Sequence, residues 1–329
     1  MKILRRAFLA LALITGIAAF FLFTGDLPAS EVDAKYTSPA SRFLELPSGM
    51  RIHYRDEGPR DAAAVVLIHG AMASLHTWEP WVEILSAEYR VVTLDLPGHG
   101  LTGRVPEAAN GTNAFSNTIA AVTEALRLEQ FVLGGNSMGG GATWRYALDN
   151  PEQVRAMLLV NSVAPRSWRR ARAGEEPASG ALAFRLLGQG WFRAIARYLD
   201  PRWLIERGLR TAYNNAPVVD DQLVDRYHEL ILREGTRAAI LERTRGMGAP
   251  QPEPDLSSLS QPTLVIWGRH DALIPVAVAD QFAARLANAE VIVYEDLGHV
   301  PMEEDPARTA ADVLAFLRSL NLEPGRAAD

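Results

Sequence analysis

Short apolar runs alternate with longer helical patterns from residue 42 onward. Eight of these runs are short and rich in β-branched and other apolar residues, at residues 43–46, 52–55, 64–69, 90–95, 131–134, 156–161, 263–267 and 290–294. The first two flank Ser48 and Gly49, which predicts an opening hairpin. The later runs are almost continuously apolar, as in strands that are buried on both faces. The alternation therefore predicts an α/β domain with an eight-stranded, mostly parallel sheet and helices on both faces.

The alternation stops between the sixth and the seventh run. Residues 165 to about 250 have helical patterns instead, with many aromatic residues and arginines. This stretch predicts a helical cap inserted into the domain, and the proline-rich residues 248–254 form its exit linker. The basic composition of the cap fits either a solvated surface with salt bridges or a surface that faces anionic lipid headgroups.

The N-terminus carries an apolar segment behind a basic one. Lys2, Arg5 and Arg6 precede 17 residues without a charge, and a membrane-spanning helix needs roughly 17–25 residues. We predict that residues 1–23 anchor the chain in a membrane, with the rest of the chain on the extracytoplasmic side. A cleaved signal peptide and secretion are the alternative. Residues 24–41 contain two prolines and are interpreted as a tether, which leaves residues 42–329 for the domain and its cap.

Composition narrows the chemistry. The 329 residues include no cysteine, which excludes disulfides, thiolate metal sites and a cysteine nucleophile. A net charge of −6 argues against a nucleic-acid partner. The seven histidines show neither H-x-H nor H-E-x-x-H spacing, so we predict no metal site and no cofactor.

A Gly-x-Ser-x-Gly pattern surrounds Ser137, directly after the predicted strand at residues 131–134. Glycines on both sides allow a sharp turn from strand to helix that exposes the serine hydroxyl at a helix N-terminus. A serine becomes a strong nucleophile only when an imidazole removes its proton and a carboxylate orients that imidazole.

Both partners follow predicted strands further along the chain. Asp271 lies in the loop after residues 263–267, and His299 lies in the loop after residues 290–294. Sites in open α/β sheets form beyond the carboxyl ends of the parallel strands, where these three residues are expected to meet. Glu295 and Asp296 are also close to His299 in sequence, but we predict that Asp271 is the acid.

Together these motifs resemble the α/β-hydrolase fold superfamily. The resemblance rests on His69 with Gly70, on the segment at residues 95–100, on the turn at Ser137 and on the two loops just described. It covers residues 42 to about 320.

The resemblance implies roles for five residues. Ser137, Asp271 and His299 would form a catalytic triad. The backbone N–H groups of Ala71 and Met138 would form the oxyanion hole, which holds the negative charge that develops on a carbonyl oxygen.

The type of nucleophile separates the subclasses. Haloalkane dehalogenases and epoxide hydrolases resemble the chain elsewhere but carry aspartate where Ser137 stands. The turn itself resembles that of meta-cleavage-product hydrolases, which cut carbon–carbon bonds. However, the chain lacks their glycine- and proline-rich segment after Gly70 and their tryptophan-containing pattern around His299. We therefore predict a hydrolase of small-molecule or lipid carboxylic esters. A carbon–carbon bond hydrolase and a non-catalytic binding module are the alternatives.

Overall fold

The computed structural model describes residues 23–106, 113–165, 168, 186, 189–243 and 254–322. The strands are β1 (Ser41–Glu45), β2 (Arg51–Glu57), β3 (Ala64–Ile68), β4 (Arg90–Leu94), β5 (Phe131–Asn136), β6 (Val154–Val160), β7 (Thr263–Gly268) and β8 (Ala289–Tyr294). They form one sheet in the order β1-β2-β4-β3-β5-β6-β7-β8. β2 runs antiparallel to both of its neighbours, and the other pairs are parallel. The predicted fold class is confirmed.

Helices cover both faces of the sheet. The helices are α1 (Ala29–Tyr36), α2 (Glu79–Leu85), α3 (Ala114–Ala125), α4 (Met138–Asp149), α5 (Gly190–Ala196), α6 (Arg202–Ala212), α7 (Asp221–Leu232), α8 (Thr236–Arg243), α9 (Ala277–Ala283), α10 (Pro301–Glu304) and α11 (Pro306–Ser319). Successive side chains of β3 alternate between two cores. Val66 and Ile68 pack with residues of α3, α4 and α9, whereas Val65 and Leu67 pack with α2 and α11. Full burial of one such side chain stabilises the fold by about 1.5–3 kcal/mol.

The described part of the predicted cap is helical. Residues 189–243 contain α5 to α8, while most of residues 166–188 and residues 244–253 lie outside the described part of the chain. Several cap arginines pair with carboxylates, among them Arg210 with Glu206 at 2.9 Å and Arg226 with Glu303 at 3.0 Å. These pairs favour the interpretation of the cap as a surface laced with salt bridges.

The range interpreted as a tether holds α1, which bridges the cap and the sheet domain. The carboxylate of Asp33 bonds to Arg233 of the cap at 2.7 Å and to Arg51 of β2 at 2.5 Å. Asp26 pairs with Arg237 of the cap at 2.6 Å. The segment before β1 is therefore packed against the fold rather than separated from it.

The predicted membrane-anchored localisation is contradicted. Across the described residues, no helix combines the length and the apolar character that crossing a bilayer requires. Of the predicted anchor, residues 1–22 lie outside the described part of the chain. Phe23, its last residue, forms a β-bridge with Leu199 of the cap.

A fully buried carboxylate follows β4 and fixes two loops. Asp95 accepts hydrogen bonds from the backbone N–H of Leu75 at 2.7 Å, from that of Leu101 at 2.8 Å and from His53 Nδ1 at 2.7 Å. Burial by itself raises the pKa of Asp95, but the hydrogen bond and the charge of His53 outweigh burial and hold the pKa below its usual range. Asp95 thereby ties the loop after β3 to the loop after β4.

Replacing Asp95 with asparagine should destabilise the fold in a pH-dependent way. Because folding depresses the pKa of Asp95, its contribution is complete above the unfolded-state pKa of about 3.9 and is lost as the pH falls through the folded-state value. We expect Asp95→Asn to lower the free energy of unfolding by about 3–5 kcal/mol at pH 7. Urea titrations should show this difference narrowing below about pH 4.

The exposed Asp61 provides a matched control. Asp61→Asn should change the free energy of unfolding by less than about 0.5 kcal/mol. An Asp95→Asn chain as stable as the wild type at pH 7 would contradict the role given to this carboxylate.

Candidate active site

The turn between β5 and α4 holds Ser137 in a strained conformation. Its φ of 52° and ψ of −114° lie outside the regions that non-glycine residues commonly adopt. The turn is possible because α4 lies very close to the sheet. A Cβ atom at Gly139 would overlap the carbonyl oxygen of Ile68, and one at Gly135 would overlap the backbone of Gly139. The half-buried Ser137 therefore stands at the N-terminus of α4, as the sequence pattern predicts.

The two predicted oxyanion donors lie on segments that adjoin Ser137. Met138 is the first residue of α4, where backbone N–H groups lack an acceptor within the helix. Ala71 follows Gly70, and a Cβ atom at Gly70 would stand 3.3 Å from that of Ser137. Within the described residues, neither N–H group donates to a protein acceptor. Both are therefore available to a ligand.

Asp271 and His299 form a buried hydrogen-bonded pair. His299 Nδ1 lies 2.7 Å from Asp271 Oδ2. Asp271 Oδ1 accepts from the backbone N–H groups of Leu273 at 2.8 Å and Ile274 at 2.9 Å. Because the carboxylate can only accept, Nδ1 of His299 is the donor of this bond, and in the neutral imidazole the lone pair then lies on Nε2.

Two asparagines connect the loops of this site. Asn161 follows β6 and donates to Asp271 Oδ2 at 2.7 Å, the same oxygen that faces His299. Asn136 precedes Ser137 and donates to the carbonyl oxygen of His299 at 3.0 Å. The loop that carries His299 is thus tied directly to the turn that carries Ser137.

Glu304 holds the His299 loop from the opposite end. Its carboxylate accepts from the backbone N–H of Gly298 at 2.7 Å and from that of Val300 at 3.0 Å, on either side of His299. Burial raises the pKa of Glu304, while these two hydrogen bonds act in the opposite direction. The backbone around His299 is therefore fixed on both sides.

The other candidates from the sequence lie elsewhere. Asp296 pairs with Arg308 at 2.7 Å, and Glu295 pairs with Arg269 at 2.6 Å. All four side chains are exposed to solvent. The carboxylate that contacts His299 is that of Asp271.

His69 and His99 support the neighbouring loops. The backbone N–H of Leu96 donates to His69 Nε2 at 3.0 Å, so Nδ1 carries the proton and donates to the carbonyl oxygen of Gly70 at 2.7 Å. The His99 ring lies 5.2 Å from that of His69. Burial lowers the pKa of His99 to about 3.

Sequence reasoning missed Asn136, Asn161 and Glu304. Asn161 had a usable signal, since it is the last residue of a predicted strand and therefore stands at the carboxyl end of the sheet, where such sites form. Glu304 had none, because a carboxylate five residues after a histidine is common on any helical turn. Of the metal-ligating residue types, the described residues bring together no group that could hold a metal ion.

A family model supports the fold directly. The model described as the alpha/beta hydrolase family matches residues 65–312. The chain belongs to the alpha/beta hydrolase family. The matched range contains all five residues to which the sequence analysis assigned a role.

Relatives within the family have different named activities. A non-heme chloroperoxidase from Streptomyces lividans is 31% identical over 277 residues, which cover 82% of this chain and 97% of the relative. A 2-hydroxy-6-oxononadienedioate/2-hydroxy-6-oxononatrienedioate hydrolase from Burkholderia vietnamiensis is 27% identical over 292 residues, or 86% and 96% of the two chains.

Solved structures share the fold at lower identity. A meta-cleavage product hydrolase from Pseudomonas fluorescens aligns with a TM-score of 0.71 at 23% identity, over 84% of this chain and 97% of its own. An esterase from a Rhodococcus species aligns with a TM-score of 0.69 at 23% identity, over 85% and 99%. At this identity the alignments support the fold and leave the substrate open.

The close approach of α4 to the sheet can be tested at Gly139. We expect Gly139→Ala to lower the free energy of unfolding by at least about 1–3 kcal/mol, because the added methyl group overlaps backbone that cannot move aside. Urea unfolding measures the change. The control is Gly208→Ala in α6, where the new Cβ meets no atom within 4 Å. That substitution should stabilise the chain by up to about 1 kcal/mol. A Gly139→Ala chain with wild-type stability would refute the packing constraint.

Proposed function

We propose that the protein hydrolyses carboxylic esters through an acyl-enzyme on Ser137. The observation that carries the proposal is the buried 2.7 Å hydrogen bond between His299 and Asp271, on a loop that Asn136 ties to the strained Ser137 turn. This arrangement leaves Nε2 of His299 free to accept the serine proton. The hydrogen bond between a catalytic serine and its histidine often tightens only when substrate is bound.

The proposed reaction has two halves. His299 removes the proton of Ser137, whose Oγ attacks the ester carbonyl carbon. The N–H groups of Ala71 and Met138 stabilise the oxyanion, and one such donor is typically worth about 2.7–4 kcal/mol. His299 then protonates the departing alkoxide. In the second half, His299 activates a water molecule that releases the acid and restores Ser137.

A carbon–carbon bond hydrolase is the second candidate. Named relatives support it, since the 27% identical hydrolase from Burkholderia vietnamiensis acts on a dienedioate or trienedioate. Such a reaction can use the same acyl-enzyme, but its leaving group is a carbon atom. That carbon must first be stabilised by a keto group of the substrate, whereas an alkoxide needs only the proton that His299 carries. The ester reaction therefore needs only the proton transfer that His299 can provide, without a further group to stabilise a carbon leaving group.

A substrate comparison separates the two candidates. The purified full chain should hydrolyse p-nitrophenyl esters in an acyl-chain series with a higher kcat/KM than it shows for a dienone ring-fission product. A clear preference for the dienone would replace ester hydrolysis by carbon–carbon cleavage. If neither the esters nor the dienone were turned over and a fluorophosphonate did not label the protein, both candidate functions would be refuted.

Variants of the proposed triad test the individual roles. Ser137→Ala should lower ester turnover by roughly a millionfold and abolish fluorophosphonate labelling. Asp271→Asn should lower kcat by roughly 10⁴-fold, because the amide favours the wrong tautomer of His299. The matched control is Asp296→Asn, which changes a carboxylate of the His299 loop that pairs with Arg308 instead. If activity survives Asp271→Asn and is lost with Asp296→Asn, the acid has been assigned incorrectly.

A further inference from the structure

A cavity of about 310 Å³ lies between the loop after β4 and helix α8 of the cap. Its lining consists of Pro97, Arg104, Val105, Gly235, Ala238, Ala239, Glu242 and Arg243. None of these belongs to the proposed triad or oxyanion hole. Pockets for small organic ligands start at about 300 Å³, so the cavity has room for a small molecule.

Two arginines of the lining have no carboxylate partner within the described residues. Arg104 and Arg243 form no ion pair there, whereas Arg226, Arg233 and Arg237 of the cap each do. Burial lowers the pKa of Arg243, as expected for a half-buried cation that no anion compensates. An anionic ligand would supply that compensation.

The Arg243 guanidinium also packs over an aromatic ring. Its guanidinium carbon lies 4.1 Å from the centre of the Phe115 ring. Stacking on an aromatic face leaves the N–H groups at the edge of the guanidinium plane available, and this edge matches the two oxygens of a carboxylate. The neighbouring His99 adds no charge, because burial above all lowers its pKa to about 3.

The rest of the lining is small and mostly apolar. Pro97, Val105, Ala238 and Ala239 offer hydrocarbon surface, and Arg104 and Arg243 bring positive charge to the same cavity. A carboxylate on a short apolar body complements this lining. An inorganic anion would leave the apolar surface unused.

We propose that this cavity binds a small organic monocarboxylate, with its carboxylate on Arg104 and Arg243 and its apolar body against the proline, valine and alanine side chains. The site is separate from Ser137 and therefore goes beyond the proposed ester hydrolysis. The cavity borders the loop after β4, in which the His99 ring lies 5.2 Å from that of His69.

Calorimetric titration of the full chain with benzoate tests the proposal. Benzamide, the uncharged analogue, should bind at least about tenfold more weakly, as should inorganic phosphate. Arg104→Gln and Arg243→Gln should each weaken benzoate binding about tenfold, while Arg243→Lys should restore part of it. The proposal would be overturned if benzamide or phosphate bound as tightly as benzoate. It would also be overturned if the variant with both arginines changed to glutamine bound benzoate as tightly as the wild type.

Two controls separate this site from others. Arg285 also stacks on an aromatic ring, that of Trp168, but lies outside the cavity. Arg285→Gln should leave benzoate binding unchanged, and an equal loss there would show that the effect is not local. Benzoate affinity should also survive in Ser137→Ala and after fluorophosphonate treatment. Loss of affinity in either case would assign benzoate to the proposed active site and refute a separate cavity. Since none of these readouts is ester turnover, failure of the proposed reaction leaves the test intact.

Discussion

The close approach of α4 to the sheet is the constraint on which the candidate site depends. It requires hydrogen atoms in place of side chains at Gly135 and Gly139, because neither backbone leaves space for a Cβ atom. The same approach forces the chain through an unfavourable conformation at Ser137, at a cost of order 1–3 kcal/mol. Two packed cores on opposite faces of the sheet hold the turn in place. The strained serine is thus a product of the whole domain and not of its local sequence.

The loops of the site are immobilised by side chains that bond to backbone. Asn136 donates to the carbonyl oxygen of His299, and Glu304 accepts from the two backbone N–H groups on either side of His299. Asp95 accepts from one N–H group in the loop after β3 and from one in its own loop after β4. Loops are ordinarily the most variable parts of a fold, and reacting groups need positions fixed to a fraction of an ångström. In this chain, buried polar side chains supply that precision where regular secondary structure ends.

The sequence was sufficient for features that have a local pattern. Strands buried on both faces are apolar runs, and the turn at Ser137 has glycines at fixed spacing, so both could be predicted. The contacts of Asn161 and Glu304 could not be predicted. The contact of Asn161 joins residues far apart in sequence, and those of Glu304 follow no recognisable pattern. Helix α1 was missed for a related reason, since only Val32 of its eight residues is buried and no periodicity results. The prolines that suggested a tether stand at residues 28 and 39, outside the ends of that helix.

The carboxylates of Asp26 and Asp33, which precede β1, have a practical consequence for anyone who shortens the chain. A protein begun at residue 42 would lose the carboxylates of Asp26 and Asp33. It would leave Arg233 and Arg237 of the cap, both largely buried, as uncompensated cations. The two buried positive charges would repel one another and draw water between the cap and the sheet domain. The family model begins only at residue 65, so a boundary chosen from it would remove this counter-charge along with β1 and β2. A start near residue 23 keeps the electrostatic balance of the cap intact.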